Sequence, residues 1–339
     1  MPMAAPVLSV VIPVYNEEAG LPALFARLYP ALDALQIPYE VLFVNDGSRD
    51  RSAAVLKDQF AARPDVTRVV LFNANYGQHM AIIAGFDRVR GHRVVTLDAD
   101  LQNPPEEIHA LLKAMDAGHD YVGGVRRTRE DAWWRRVASR AMNRLRERIT
   151  HIKMTDQGCM LRTYSRGIVD AVAASREVSI YIPALAYTFA HNPTEVEVAH
   201  EERTAGESKY SLYKLIRLNF DLVTGFSLVP LQLFSLFGMF VAAMSLLMYG
   251  VVVVQRALAG DFFGGITALW DRDILQFFLT GVVLFGVGLV GEYVGRIHQQ
   301  VRERPRYTIQ AVLEAHPDDD AMPIEPGLRI PDPCAGLTA

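Results

Sequence analysis

Residues 94–108 read VVTLDADLQNPPEEI, which sets Asp98 and Asp100 one residue apart and places Gln102 and Asn103 directly after them. Carboxylates are hard oxygen ligands, and two so spaced suit Mg²⁺ or Mn²⁺. On an extended backbone residues i and i+2 share a side, so a strand ending here would send both carboxylates into one crevice. An ion held there would suit a diphosphate. The same residues also suit a plain turn whose Asp side chains cap the helix that Pro104-Pro105 opens. The surrounding elements bear on which reading applies.

Those elements repeat. Residues 7–14 form an apolar, β-branched run followed by Asn16-Glu17-Glu18 and a helical pattern through Leu35, as expected of a buried parallel strand and its helix. Residues 39–44 repeat the strand and end in Asn45-Asp46-Gly47-Ser48, where Gly47 makes the turn and Ser48 is placed to cap the next helix. Residues 66–72 lead into Asn73-Ala74-Asn75-Tyr76-Gly77-Gln78 and a helix from about His79 to Val89, and residues 94–98 are the fourth strand. Strands alternating with helices predict a doubly wound α/β sheet, which binds ligands at the carboxyl ends of its strands. Glu17, Asp46, Gly77 and Asp98 should therefore converge on one crevice. A diphosphate there meets carboxylates and few cations, so a metal must offset the repulsion. No G-x-x-x-x-G-K-[ST] loop is present to do so instead. Gly286, Gly288 and Gly291 spell G-x-G-x-x-G inside an apolar run, where close helix packing is a better reading than a dinucleotide site. The histidines show no metal-binding spacing, and His79 alone lies near the crevice.

The chain has 339 residues, half of them apolar, and a formal charge of −4. Apolar residues are unevenly spread. Up to about Val223 they alternate with polar ones, whereas residues 228–254 and 274–289 are nearly uncharged. The first run exceeds the ~20 residues that cross a bilayer, and the second reaches that length by continuing to Val294, with Glu292 near its end. Two membrane spans are expected, with buried core helices as the alternative. Lys209, Lys214 and Arg217 precede the first span and Arg296, Arg302, Arg304 and Arg306 follow the second, so both long polar segments should be cytoplasmic. Cys159 and Cys334 are the only cysteines, which fits a reducing compartment and excludes a Cys-rich zinc site. No signal peptide is expected.

After a fifth strand near Tyr121 the chain turns basic. Arg135, Arg136, Arg140, Arg144, Arg146 and Arg148 accompany Val137, Ala141, Leu145 and Ile149, which recur every fourth residue. This is the pattern of a basic amphipathic helix on an anionic membrane surface, with a plain solvated face as the alternative. No other nucleic-acid signature is present, so no nucleic-acid partner is expected. The expected organisation is an enzyme domain over residues 1–210, a juxtamembrane amphipathic helix over 211–227, two transmembrane helices with a short periplasmic loop over 228–295, and a cytoplasmic segment with a disordered tail over 296–339.

Taken in order, VIPVYNEE, VNDGS, NYGQHMAIIAGF, LDADLQNPPEE, DQGCMLR, GESKYS and GEYVGRI resemble the family 2 glycosyltransferases of GT-A fold that load a sugar from a nucleotide onto a polyprenyl phosphate. The resemblance runs from Val7 to about Ile309. NYGQH and QNPPEE are most similar to the branch that moves 4-deoxy-4-formamido-L-arabinose onto undecaprenyl phosphate for lipid A modification. Related branches use UDP-glucose, another UDP-hexose, an amino sugar or GDP-mannose. Asn45 departs from the pattern, since many relatives carry Asp there. The resemblance implies an inverting transfer from a UDP-sugar at the inner face of the bacterial inner membrane, by a tetramer. It implies contacts to uridine from Pro13, Tyr15, Glu17 and Asp46, with Gly77 in the same donor site. Asp98 would lie near ribose and metal, with Asp100 and Gln102 as ligands to Mg²⁺ or Mn²⁺. Arg126, Arg140 and Arg203 would grip the acceptor phosphate. Asp156 matches a residue sometimes assigned as general base. A phosphate monoester is already mostly dianionic at neutral pH, so an orienting role ranks first. Cys159, in a strand beside it, reads as core. A processive polysaccharide synthase would need a Q-x-x-R-W motif that is absent here, and a catalytically silent membrane module would leave the metal motif unexplained.

Overall fold

The structure, a computed structural model, describes residues 6–126, 154–156, 158–175, 181–201, 229–259, 267–301 and 305–315. The chain alternates as expected: β1 (Leu8–Val14), α1 (Leu21–Asp33), β2 (Tyr39–Asn45), α2 (Ser52–Ala62), β3 (Thr67–Phe72), α3 (Gln78–Phe86) and β4 (Arg93–Thr96). β1 pairs in parallel with both β2 and β4, and β2 with β3. Successive residues of β1 point to opposite faces. Val10 and Ile12 pack with Leu21, Leu24 and Leu28 of α1, while Val11 packs with Ile82, Ile83 and Phe86 of α3. Every one of these side chains is buried, so apolar area on both faces holds the sheet between two helix layers. Gly85 lets α3 approach closely, since a Cβ there would lie 2.4 Å from Val11 Cγ1.

The sheet does not stop at the four parallel strands. A 3₁₀ turn (Pro105–Glu107), α4 (Ile108–Asp116), β5 (Tyr121–Arg126), β6 (Arg162–Ser165), α5 (Arg166–Ala174), α6 (Ile182–Phe189) and β7 (Pro193–Val198) follow, then α7 (Val229–Ala259), α8 (Thr267–Val301) and β8 (Ile309–Leu313). All eight strands join one mixed sheet in the order β7-β5-β6-β4-β1-β2-β3-β8. β6 runs antiparallel to β4 and β5, and β8 antiparallel to β3. The doubly wound sheet of the sequence reading is thus extended past its parallel strands at both edges by antiparallel pairing. β6 and β7, RTYS and PTEVEV, are short and polar, so no apolar run announces them. β8 belongs to the cytoplasmic segment expected after the apolar helices, where no strand was expected.

Ser48 does not cap α2, which begins at Ser52 with no side-chain cap. Its hydroxyl accepts from Asn16 N at 3.0 Å and donates to Asn45 Oδ1 at 2.5 Å. Asp50 accepts from Ser52 N at 3.0 Å in the turn ahead of the helix. Cys159 lies in the approach to β6 and not in a strand, yet it is fully buried.

Among the described residues, one helical stretch, Phe278–Gly295, is long and apolar enough to cross a membrane, and Leu231–Val241 is a shorter apolar stretch within α7. Phe240, Leu247, Leu284 and Phe285 are exposed on these helices. Phe234 of α7 meets Phe285 of α8 at 5.5 Å, and a Cβ at Gly286 would lie 2.2 Å from the Phe234 ring. Of the G-x-G-x-x-G glycines, Gly286 alone is tightly approached; Gly288 and Gly291 face open space.

Candidate active site

The ends of β1 and β2 are tied by Asp46 N, which donates to Val14 O at 2.9 Å. The loops that leave them are laced together. Arg49 N donates to Asn16 Oδ1 at 2.8 Å, Glu18 N to Asp50 Oδ2 at 3.2 Å, and Arg51 N to Glu18 Oε2 at 2.7 Å. Asp46 is buried and its carboxylate accepts from Asn75 Nδ2 at 2.9 Å, Tyr76 N at 2.6 Å and Gly77 N at 2.8 Å. Glycine is required twice to make this possible. Gly47, at φ +63°, would press a Cβ to 2.3 Å from Ala74 C, and Gly77 turns at φ +97° into α3. Burial raises the Asp46 carboxyl above its usual range, against the pull of the Tyr76 and Gly77 N–H groups.

The strand β4 ends at Thr96, two residues earlier than expected, so Asp98 and Asp100 lie beyond it, in the turn that follows. Leu101 takes φ +58° to complete it. Alternation survives the bend nevertheless. Asp98, Asp100 and Gln102 are half-buried, whereas Leu97, Ala99, Leu101 and Asn103 are buried. The apolar side chains anchor the turn in the core and leave the oxygen-bearing ones on the open side. Gln78 Nε2 donates to Asp98 Oδ1 at 2.6 Å, and Asp100 Oδ1 accepts from Gln102 N at 3.2 Å. A Cβ placed on Gly20 would lie 3.5 Å from Glu17 Oε2 and 3.9 Å from Ala99 O, so Glu17 borders the same turn. Glu17, Asp46, Gly77 and Asp98 are therefore brought together as expected. Pro13 is half-buried at the end of β1, and Tyr15 stands exposed just beyond it. Gln78 and Asn75 are additions, since their cross-loop bonds link segments that sequence keeps apart.

Among the described residues no three His, Cys, Asp or Glu side chains cluster as a self-sufficient metal cage. Two carboxylates and a carboxamide, all on the open side of one turn, fit instead a divalent ion that keeps water and takes further ligands from a diphosphate.

On the far side of Asp98, Arg126 forms a two-pronged ion pair with Asp156, Nε–Oδ2 at 2.6 Å and Nη2–Oδ1 at 2.8 Å. Gly158 N also donates to Asp156 Oδ1 at 3.0 Å. Although burial opposes it, the Arg126 guanidinium and these N–H groups hold the Asp156 carboxyl below its usual range. Asp98 adds to the negative field on Arg126. Beneath the pair lies Arg162, fully buried. It donates to Asp156 O at 2.5 Å, Cys159 O at 2.8 Å and Tyr121 Oη at 2.6 Å. Burial pushes the Cys159 thiol up to about 11, so it is protonated and is core, as expected. His79 sits one residue beyond Gln78, its ring edge-on to Tyr181 at 5.5 Å and its Nδ1 buried with no hydrogen-bond partner among the described residues. Arg140, Arg203 and the two amphipathic helices lie outside the described residues.

The profile of glycosyl transferase family 2 matches residues 9–173. A protein of Aeromonas hydrophila subsp. hydrophila is 46% identical over 91% of this chain and 94% of its own length. One of Serratia proteamaculans is 47% identical over 92% and 95%, and one of Pseudomonas aeruginosa 48% over 93% and 93%. The chain belongs to glycosyltransferase family 2. All three relatives carry the name undecaprenyl-phosphate 4-deoxy-4-formamido-L-arabinose transferase. Among solved structures, glucosyl-3-phosphoglycerate synthase of Mycobacterium tuberculosis with Mg²⁺ and UDP aligns at a TM-score of 0.44 and 18% identity, over 65% of this chain and 77% of that one. The fold is the GT-A glycosyltransferase fold with a mixed sheet, and the protein is a glycosyltransferase.

Proposed function

We propose that the protein transfers 4-deoxy-4-formamido-L-arabinose from UDP to undecaprenyl phosphate, with inversion, at the membrane surface. One observation carries the donor site: Asp46 gathers the loop after β3, and Gln78, the first residue of α3, reaches Asp98, so three strand ends close on one crevice. The sugar and the acceptor rest on the names of relatives that match this chain nearly end to end. In this reading Pro13, Tyr15, Glu17, Asp46 and Gly77 receive the uridine, and Asp98, Asp100 and Gln102 hold Mg²⁺ or Mn²⁺. The ion, when bound, offsets the charge of the departing diphosphate.

The residues of the chain then have separable tasks. Arg126, with Arg140 and Arg203, holds the acceptor phosphate so that an oxygen faces the anomeric carbon. Asp156 uses both oxygens on Arg126 and is held ionised, which supports an orienting role over that of a base. The pair engages Nε and Nη2, and the Nη1 corner of Arg126 is not part of it. Two spans, formed from α7 and α8, would leave both termini cytoplasmic in the bacterial inner membrane, and a tetramer is the expected assembly.

Offering a panel of UDP-sugars with Mg²⁺ or Mn²⁺ and undecaprenyl phosphate, and weighing the lipid product by mass spectrometry, tests the donor. Glucose in the product would replace the sugar assigned here. Asp100→Ala should lower turnover by at least about a hundredfold, as loss of a group that stabilises developing charge does. Unchanged turnover would sink the metal assignment.

A further inference from the structure

The strand β8 is the next described element after α8 and lies in the catalytic sheet, where Leu71 pairs with Ala311 and the register slips before Phe72 meets Ile309. At the slip, Asn73 N donates to Thr308 O at 3.2 Å. The Tyr307 ring stacks on Phe72, centroids 5.0 Å apart and planes 12° from parallel. Phe72 meets Tyr76 edge-on at 5.7 Å, Tyr76 Oη donates to Asn73 Oδ1 at 2.9 Å, and Tyr76 N donates to the Asp46 carboxylate at 2.6 Å. Two ring contacts and one hydrogen bond thus connect Tyr307 to Asp46. The loop they cross, residues 73–77, is neither helix nor strand, and besides the Asn73 N–Thr308 O bond it is side-chain contacts that order it.

The same segment is pinned elsewhere. Tyr307 Oη donates to Asp87 Oδ2 at 2.5 Å, and Arg306 donates to the Ser175 carbonyl at the end of α5. Glu314 takes ion pairs from Arg68 at 2.7 Å and Arg90 at 2.9 Å, and Arg68 also grips the buried Glu40 at 2.9 Å. Edge pairing and these ion pairs suffice to fasten β8. The aromatic stack lies at the other end, against the loop that organises Asp46.

We propose that residues 305–314 act as a strap that braces the donor crevice from the β3 edge, and that Tyr307 is a positioning residue for the nucleotide. The proposal rests on reading that crevice as the UDP site. Tyr307 touches neither substrate nor metal ligand; it acts by fixing Phe72 and Tyr76, and through them the N–H groups that hold Asp46.

Calorimetry of UDP binding with Mg²⁺ to the full chain in nanodiscs tests it. Tyr307→Leu should weaken UDP about three- to tenfold, the scale of one lost aromatic pair. Tyr307→Phe, which keeps the stack, should stay within about twofold. Turnover at saturating donor should hold in both. Glu314→Gln loosens the same strand at its far end and should lower the thermal midpoint while leaving UDP affinity within about twofold. Asn73→Ala removes the Tyr76 tether without touching the core and should weaken UDP about two- to threefold, which decides the matter if Tyr307→Leu does not fold. Wild-type affinity in both Tyr307→Leu and Asn73→Ala overturns the strap alone, as does equal weakening by Glu314→Gln. Failure of the wild-type chain to bind any uridine nucleotide overturns the reading of the crevice and the strap with it.

Discussion

His79 shows how a single side chain can be set by its surroundings. Burial pushes it down to about 4, so it is neutral in the folded chain near pH 7. The unfolded chain takes up the proton near 6.5 and the folded chain only near 4. Between those values the unfolded state binds more protons, so stability falls as pH drops, by up to about 1.4 kcal/mol per pH unit. Thermal midpoints of wild type and His79→Gln, compared at several pH values across that window, should show the slope in the first and its loss in the second. Asp156 acts in the same direction, at lower pH. Its depressed carboxyl contributes stability that is present above the ordinary value of 3.8 and lost as pH falls through the folded value beneath it. Two-pronged ion pairing with Arg126 and support from Arg162 were not legible in DQGCMLR, because letters give proximity along the chain and not across a sheet.

Elements matter here mainly through their ends. The β2–α2 and β3–α3 loops touch backbone to backbone at Gly47, whereas Gly77 faces open space at a φ that L-residues avoid. The two glycines should therefore respond differently. Gly47→Ala forces the loops apart, releases the bonds to Asp46, and should cost more than about 3 kcal/mol along with UDP binding. Gly77→Ala meets strain alone and should cost about 1–2 kcal/mol, with donor affinity reduced but measurable. Chemical denaturation together with UDP titration distinguishes them; equal effects would mean the close approach at Ala74 is unimportant. The apolar runs of β1, β2 and β3 made these elements readable, since each is buried on both faces. β6, β7 and β8 were hidden because edge and antiparallel strands need no such run.

For the molecule as a whole, the arrangement is a catalytic sheet whose last strand arrives only after the two long helices. Leu284 and Phe285 are exposed on α8 within the apolar stretch Phe278–Gly295. If that face meets lipid, Leu284→Arg should hinder integration by about 2.5–3.5 kcal/mol. Fractionation of cells should then move protein from the membrane pellet to the soluble or degraded pool, and unchanged partition would count against a lipid-facing role for this surface.

By itself the sequence determined the alternating strands and helices, the crevice at their carboxyl ends, and the carboxylates that line it. Each of these follows from local pattern: apolar runs, turn residues and short polar motifs at a fixed offset. It also pointed to the family and to the branch borne by the relatives' names. Only the tertiary structure decided that Asp98 and Asp100 sit on a turn and not a strand, that Gln78 and Asn75 bridge the loops, and that Arg162 lies buried under Asp156. It alone returned residues 309–313 to the edge of β3. These facts depend on contacts between segments far apart in the chain, whose pairing is set by where apolar faces and unsatisfied backbone groups can be buried together.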